Sequence, residues 1–251
     1  MEGPGIIGLS GQMALRQQLD VVANNIANAS TTAYRGDRML FQSHISRLDV
    51  PGREVAFVQD RATYLDSRPG SVASTGNPLD VAIDGNAFLA VERPGDAGRG
   101  YTRDGRLRIA PDNGLVDIAG RPVLDEGGGR ILMPERFSSI EIRADGTLLA
   151  VNEGRTEQVA RIGLFQAAEP RAIRKAGDGL LEIPEGDARP LDPALREARL
   201  VQGALEGSSV QPITEIASLT ALQRAYDSVQ RIVADDDSRI RRMIEALGRP
   251  N

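Results

Sequence analysis

From Leu219 onward, Leu222, Tyr226, Val229, Val233, Ile240, Met243 and Leu247 recur at alternating steps of three and four, and Asp236 takes the one polar place in the register. Four heptads kept in phase put all of these on one face of a long helix. The pattern predicts a coiled coil roughly 43 Å long at about 1.5 Å per residue. Pro212 is tolerated in a first helical turn, Glu215 suits the positive end of the helix dipole, and Gly248 and Pro250 stop the helix. Ordering so many residues costs more conformational entropy than one apolar stripe returns. The stripe therefore needs a partner, either another helix of the chain or a neighbouring subunit.

A second stripe lies near the start. Leu15, Leu19, Val22 and Ile26 follow at steps of four, three and four, while Gln12, Arg16, Gln17, Gln18 and Asp20 fall largely elsewhere. The run Asn28-Ala29-Ser30-Thr31-Thr32 offers side chains that compete for backbone hydrogen bonds, which ends or interrupts that helix. Residues 34–79 read as an extended, connecting segment, with a short helix at Leu40–Leu48 and extended chain at Val55–Val58 and Tyr64. From Asp80 to about Ile183, short apolar runs alternate with turn signals such as Asp84-Gly85, Pro94-Gly95, Asp104-Gly105 and Asp145-Gly146, the rhythm of an antiparallel β domain. The expected fold class is α+β. An N-terminal assembly helix (1–33) and a C-terminal one (191–251) form a coiled-coil-like assembly domain, and a mainly antiparallel β domain (80–190) is inserted beyond the connecting segment (34–79).

Composition removes most chemistry. Among 251 residues there is no Cys and one His, so thiolate nucleophiles, disulfides, Cys-ligated metals and multi-histidine sites are excluded within one chain. His44 lies between Ser43 and Ile45 with no Ser-Gly elbow beside it and reads as a packing or surface residue. A formal charge of −5 argues against nucleic acid as a partner. Residues 1–30 lack a basic start and apolar core of the secretory kind, and no run of about 18 apolar residues occurs, so neither a cleaved signal nor a membrane span is expected. Gly3-Pro4-Gly5-Ile6-Ile7-Gly8 fits the dinucleotide-loop spacing but has no strand before it. Asp235-Asp236-Asp237 cannot converge on a cation, because successive helical residues point about 100° apart. Most carboxylates sit in turns or on solvated faces. No catalytic, cofactor or metal residues are assigned.

The run from Ala23 to Arg35, with Asn24, Asn25, Asn28, Thr31 and Tyr34, resembles the N-terminal signature of bacterial flagellar rod and hook proteins. Thr75 to Ile83, with Asn77 and Pro78, and Tyr101-Thr102-Arg103-Asp104-Gly105 resemble the core of the rod subgroup, and Gly203 to Val210 with Gln223 to Tyr226 its C-terminal signature. Ala33 stands where that family often has glycine. The resemblance implies a non-enzymatic axial subunit without cofactors, most like a proximal rod protein, with a distal rod protein as the alternative. Its partners would be further copies of itself, the other proximal and distal rod proteins, and the flagellar type III export apparatus. It would pass that apparatus unfolded, keep its N-terminal region, avoid membrane insertion and assemble in the periplasmic rod of the basal body, where terminal helices form a torque-transmitting shaft. Phe41 and Ile45 fit the loose Phe-x-x-x-hydrophobe pattern proposed for export-gate recognition. Outside the family, the same stripes would suit a coiled-coil dimer presenting a β ligand-binding domain, and a carboxylate hydrolase is the third reading.

Overall fold

The computed structural model describes residues 3–47, 54–66, 68–95, 98–184, 186–191 and 198–247. Two compact units divide the chain: Met1–Ala27 with Asp37–Tyr64 and Gln211–Asn251, and Asn28–Gly36 with Leu65–Val210.

The first unit holds helix α1 (Gly3–Ala27), the paired strands β1 (Asp37–Arg47) and β2 (Glu54–Leu65), and helix α2 (Pro212–Leu247). The helices pack on each other. Gln18, Val21, Val22 and Asn25 of α1 share one groove with Glu215, Ser218, Ala221 and Leu222 of α2, so the end of α1 lies beside the start of α2 and the two run antiparallel. On α2, Leu219, Leu222, Tyr226, Val229, Val233 and Asp236 are half-buried; with Ser218 and buried Glu215 they are the only described side chains of that helix that are not exposed. On α1, Leu15, Leu19, Val22 and Ile26 are half-buried, but the covered face is wider and centres on Gly11, Ala14, Gln18, Val21 and Asn25. Its width follows from two neighbours, because α1 packs on β1 as well as on α2. Leu40–Leu48, expected as a short helix, instead lies in β1 as far as Arg47. Pairing with β2 decides the conformation there, since Ser43, His44, Ile45 and Ser46 are weak helix formers that offer no resistance to an extended chain.

The second unit carries the strands β3 (Val72–Ser74), β4 (Val81–Gly85), β5 (Phe88–Glu92), β6 (Arg99–Thr102), β7 (Arg108–Ile109), β8 (Leu115–Val116), β9 (Ser139–Ile142), β10 (Thr147–Asn152), β11 (Arg155–Arg161), β12 (Leu164–Ala167), β13 (Arg174–Gly177), β14 (Leu180–Glu182), β15 (Ala188–Pro190), β16 (Ala198–Gln202) and β17 (Ala204–Glu206). All the pairings among them are antiparallel. The largest sheet among the described residues has six strands in the order β13-β14-β6-β5-β12-β15. Its central strand β5 is buried on both faces, and the two-residue period sends Leu89 and Val91 into one core with Ile83, Leu115, Val123, Leu148 and Ile162, and Phe88 and Ala90 into another with Tyr101, Phe165 and Leu181. Tyr101 and Phe165 meet edge to face at 5.7 Å.

Residues 198–206, expected within the C-terminal helical segment, are strands of this unit. Ala198 and Leu200 are buried on either side of exposed Arg199, the alternation of a half-buried strand, and β16 pairs along β4 while β17 pairs with β3. The connecting segment expected over 34–79 is likewise divided, residues 37–64 going with the helices and 34–36 and 65–79 with the strands.

Gly105 shows how tightly β4 is covered. A β-carbon there would lie 1.7 Å from the Val81 carbonyl oxygen, and the Val81 N–H donates to the Gly105 carbonyl at 2.9 Å, which holds the two backbones together. Gly105→Ala should therefore lower the unfolding free energy by about 3 kcal/mol or more, seen as an earlier denaturant midpoint, whereas Gly11→Ala on α1, where nothing lies within 4 Å, should leave the midpoint unchanged or raise it.

Candidate functional site

The second unit closes around a buried carboxylate. Glu206, at the end of β17, is 2% exposed. Arg103, equally buried, donates from Nε to Glu206 Oε2 at 2.7 Å, and from its other nitrogens to the carbonyls of Ile83 (2.8 Å), Gly85 (3.0 Å) and Ala87 (2.5 Å). Its plane also lies over the Phe88 ring at 5.8 Å. Arg35 Nη2 approaches Glu206 Oε1 at 3.3 Å, and Arg35 Nη1 donates to the Arg68 carbonyl at 2.8 Å. The Gly70 N–H donates to Glu206 Oε1 at 3.0 Å. Burial lowers the Arg35 guanidinium to about 10, helped by the Arg103 cation and opposed by Glu206 and Asp66, so it keeps its charge at physiological pH. Backbone bonds run through the same place: Ala33 N–H to the Glu206 carbonyl, Ser209 N–H to the Tyr34 carbonyl, and Gly36 N–H to Ser209 Oγ, at 2.8, 2.9 and 3.0 Å. Three separated stretches, 33–36, 66–70 and 203–209, are thereby held together on one charge cluster.

A second knot sits on Asp80. Thr75 Oγ1 and Asn77 Nδ2 donate to its two carboxylate oxygens at 2.7 and 3.0 Å, and Gly203 N–H donates to its carbonyl at 2.8 Å. Asn77 Oδ1 also accepts from Leu79 N–H at 3.2 Å across Pro78, a turn closed by its own side chain. Of the N-terminal signature, Asn28 and Thr31 bond each other in the turn after α1 (3.2 Å), and Tyr34 accepts a hydrogen bond from Lys175 (3.1 Å), whose Nζ also lies 4.2 Å from the ring centroid.

In the first unit, Asn25 is 2% exposed and exchanges two hydrogen bonds with the backbone of Asp37: its Nδ2 donates to the carbonyl at 3.0 Å and its Oδ1 accepts from the N–H at 2.9 Å. This is how the start of β1 is fixed to α1. Arg38 faces Glu215 at 3.6 Å. Between α1, α2 and the start of β1 runs a groove of about 410 Å³ lined by Val21, Val22, Met39, Ala221 and Leu222, with Asp37, Arg38 and Glu215 as its charged groups. Asn24 is exposed. Asp236 pairs with Arg239 of its own helix at 2.6 Å. The side chains of Phe41, Ile45, Ile240 and Leu247 lie outside the described residues, and Met243 is 45% exposed.

The cluster of Arg35, Arg103 and Glu206 was not singled out by sequence reasoning, although each residue lies in a quoted motif. A charged residue set between small and apolar neighbours, as in Gly203-Ala204-Leu205-Glu206-Gly207, is the available signal. These arrangements order the backbone. Among the described residues, no group of three or more His, Cys, Asp or Glu side chains is disposed to hold a metal ion.

Three family models match in the order of the signatures: "Flagella basal body rod protein" over residues 7–35, "Flagellar hook protein FlgE/F/G D1 domain" over 82–150 and "Flagellar basal body rod FlgEFG protein C-terminal" over 201–246. The helices and the charge cluster thus fall in segments these models share, and the chain belongs to the flagellar basal-body rod protein family, a family of structural subunits. Within it, the chain is 37% identical to the flagellar basal-body rod protein FlgF of Caulobacter vibrioides over the whole of both chains. It is 32% identical to FlgF of Salmonella typhimurium over 91% of each chain, and 29% identical to FlgG of Bacillus subtilis over 94% of this chain and 96% of that one. FlgF is the name it matches best.

Two outcomes test the cluster. Glu206→Gln leaves buried Arg103 without its countercharge and should cost about 3–5 kcal/mol of unfolding free energy; Asp84→Asn, from the exposed Arg199–Asp84 pair, should cost under about 1 kcal/mol in the same denaturant titration. Ala33 has φ of 57°, the left-handed region where a β-carbon is strained. Ala33→Gly should therefore be neutral or stabilising by up to about 1 kcal/mol, against the usual cost of adding a glycine.

Proposed function

We propose that the chain is a proximal-rod subunit that polymerises through α1 and α2 into the torque-transmitting shaft of the flagellum, with copies of itself and with neighbouring rod proteins as partners. The half-buried stripe of α2 carries this reading. Leu219, Leu222, Tyr226, Val229, Val233 and Asp236 follow the heptad without a slip, yet in the single chain none of them is fully buried. Seam residues of a finished helical bundle are buried. The remaining exposure suits further helices of other subunits, and heterologous contacts that do not close generate a filament.

In this reading the chain reaches the periplasmic rod unfolded, through the flagellar type III apparatus and without a cleaved signal, and Phe41 with Ile45 belongs to the recognised segment. The absence of Cys suits such a passage, since an unfolded chain in transit carries no thiol to be trapped by oxidation. A distal-rod role is the second reading, favoured by the likeness to the FlgG of Bacillus subtilis along nearly the whole chain.

Val233→Asp tests the seam. It puts a second charge one heptad step from Asp236 and should abolish recovery of the chain in isolated basal bodies, with loss of motility, while the second unit keeps the thermal transition of the parent. Normal incorporation of that variant would refute assembly through this face.

A further inference from the structure

Residues 198–209, the last part of the strand unit, are bonded to several places far away in the chain. In β16, Ala198 to Gln202 pair with Gly85 to Val81 of β4, and the Leu200 N–H donates to the Ala144 carbonyl at 3.0 Å. The Gln202 side chain accepts from the Ile142 N–H at 3.1 Å and donates to the carbonyls of Ile140 and Pro78 at 3.0 and 2.8 Å. The Gly203 carbonyl accepts from the Thr75 N–H at 2.8 Å, and β17 lies along β3. Glu206 then meets Arg103 and the Gly70 N–H, while its carbonyl takes the Ala33 N–H. The bonds Glu206–Arg103, Glu206–Gly70 and Ser209–Gly36 close sequence separations of 103, 136 and 173 residues. Each such closure costs chain entropy that only the docked stretch repays.

What holds this stretch is mostly polar. The core around Phe88, Ala90, Tyr101, Phe165 and Leu181 takes no described side chain from it, and the core around Leu89, Leu148 and Ile162 takes Ala198 and Leu200. β16 and β17 lie in two-stranded sheets with β4 and β3, pairings that are marginal without further support. Lifting the stretch away gives up few apolar contacts, and it returns Glu206 and Arg103 to water together. That differs from Glu206→Gln, which strands Arg103 inside a closed interior; opening hydrates both ions and recovers the desolvation that their pairing had to offset.

We propose that residues 198–209 are a strap that leaves and re-docks as one piece while the two apolar cores of the strand unit stay packed. Ala33, Gly70 and Thr75 lose their partners in the same event, so the strap is what holds the 33–36 segment on the unit. The proposal stands on the strand unit alone and is independent of the rod reading.

Single thiols in the full-length chain report the opening without background, since the chain has no Cys. Ala204 in the strap and Ala90 in β5 are 4% and 0% exposed. With a water-soluble maleimide in excess, Ala204→Cys should label about a hundredfold faster than Ala90→Cys, each being modified through the opening that uncovers it. Leu181→Ala lies in the core that the strap does not enter and weakens the closed and strap-open forms alike. It should speed Ala90→Cys by about tenfold or more and leave Ala204→Cys within about twofold. Glu206→Gln removes a contact made only in the closed form and should speed both thiols by the same factor. In the parent chain, the amides of Ala33, Gly70 and Thr75 should be protected from hydrogen exchange to the same degree as those of Leu200 and Gly207, and less than that of Ala90. If the two thiols label at one rate, or Leu181→Ala speeds both equally, the strap opens only with the whole unit and the proposal fails. Protection of Ala33, Gly70 and Thr75 equal to that of Ala90 overturns the opening as one piece. Should Ala204→Cys fail to fold, Ala198→Cys on β16 takes its place.

Discussion

Two guanidinium groups and one carboxylate share the interior of the strand unit, and the surrounding backbone is arranged to make that tolerable. A lone buried cation costs several kcal/mol, and Arg103 escapes this only because Glu206 lies beside it and three carbonyls of β4 and the following turn accept its remaining donors. Two of those carbonyls, Ile83 and Gly85, belong to β4, which pairs with β16, and the third, Ala87, follows just beyond its end. Glu206 in turn is in place only when β17 is laid against β3. The charge cluster and the strand order are therefore one constraint seen twice, with residues near the start and near the end of the chain required at the same spot.

The family signatures gain a physical meaning from this. Asn25, Asn28, Thr31, Asn77 and Pro78 each close or anchor a turn at a place where the chain changes direction. Asn25 makes to Asp37 the pair of bonds a neighbouring strand would make, which lets a helix end be fastened to a strand start. Ala33 follows the same logic from the other side. Its left-handed backbone is the conformation glycine adopts without cost, which is why a small residue belongs at that point of the motif.

The helices and most of the strands were legible because their periods are local. The heptad of α2 needs only its own sequence, and the half-buried positions of that helix coincide with it through Asp236. The face of α1 was read one position off centre, because the stripe of apolar residues does not mark the second contact with β1, which is made through the polar side chain of Asn25 and carries little hydrophobic signal. β1 and β16 were misjudged for a related reason. Each is decided by a pairing, β1 with β2 and β16 with β4, and a strand set by its partner leaves in its own residues only a pattern that a helix could also satisfy. The buried charges were invisible for the strongest form of that reason: Arg103 and Glu206 are separated by over a hundred residues, and nothing in either neighbourhood states that the other will be there.

Asp236 is the one seam residue whose identity still needs an account. A carboxylate in the middle of a coiled-coil seam costs stability unless it is partnered. In the structure the charge is met within α2 itself, by Arg239 one turn on. The antiparallel alignment explains why so modest a partner suffices. If Asn25 lies beside residues 215–218, then Gly3, at the start of α1, comes level with roughly residues 237–240 at equal rise per residue. Asp236 thus sits where α1 is running out, with about a fifth of its side chain exposed, and the exposed Arg239 guanidinium offsets the rest of its desolvation. The polar entry in the heptad falls at the end of the length over which α1 can cover α2, and Met243, the next described seam side chain, is exposed.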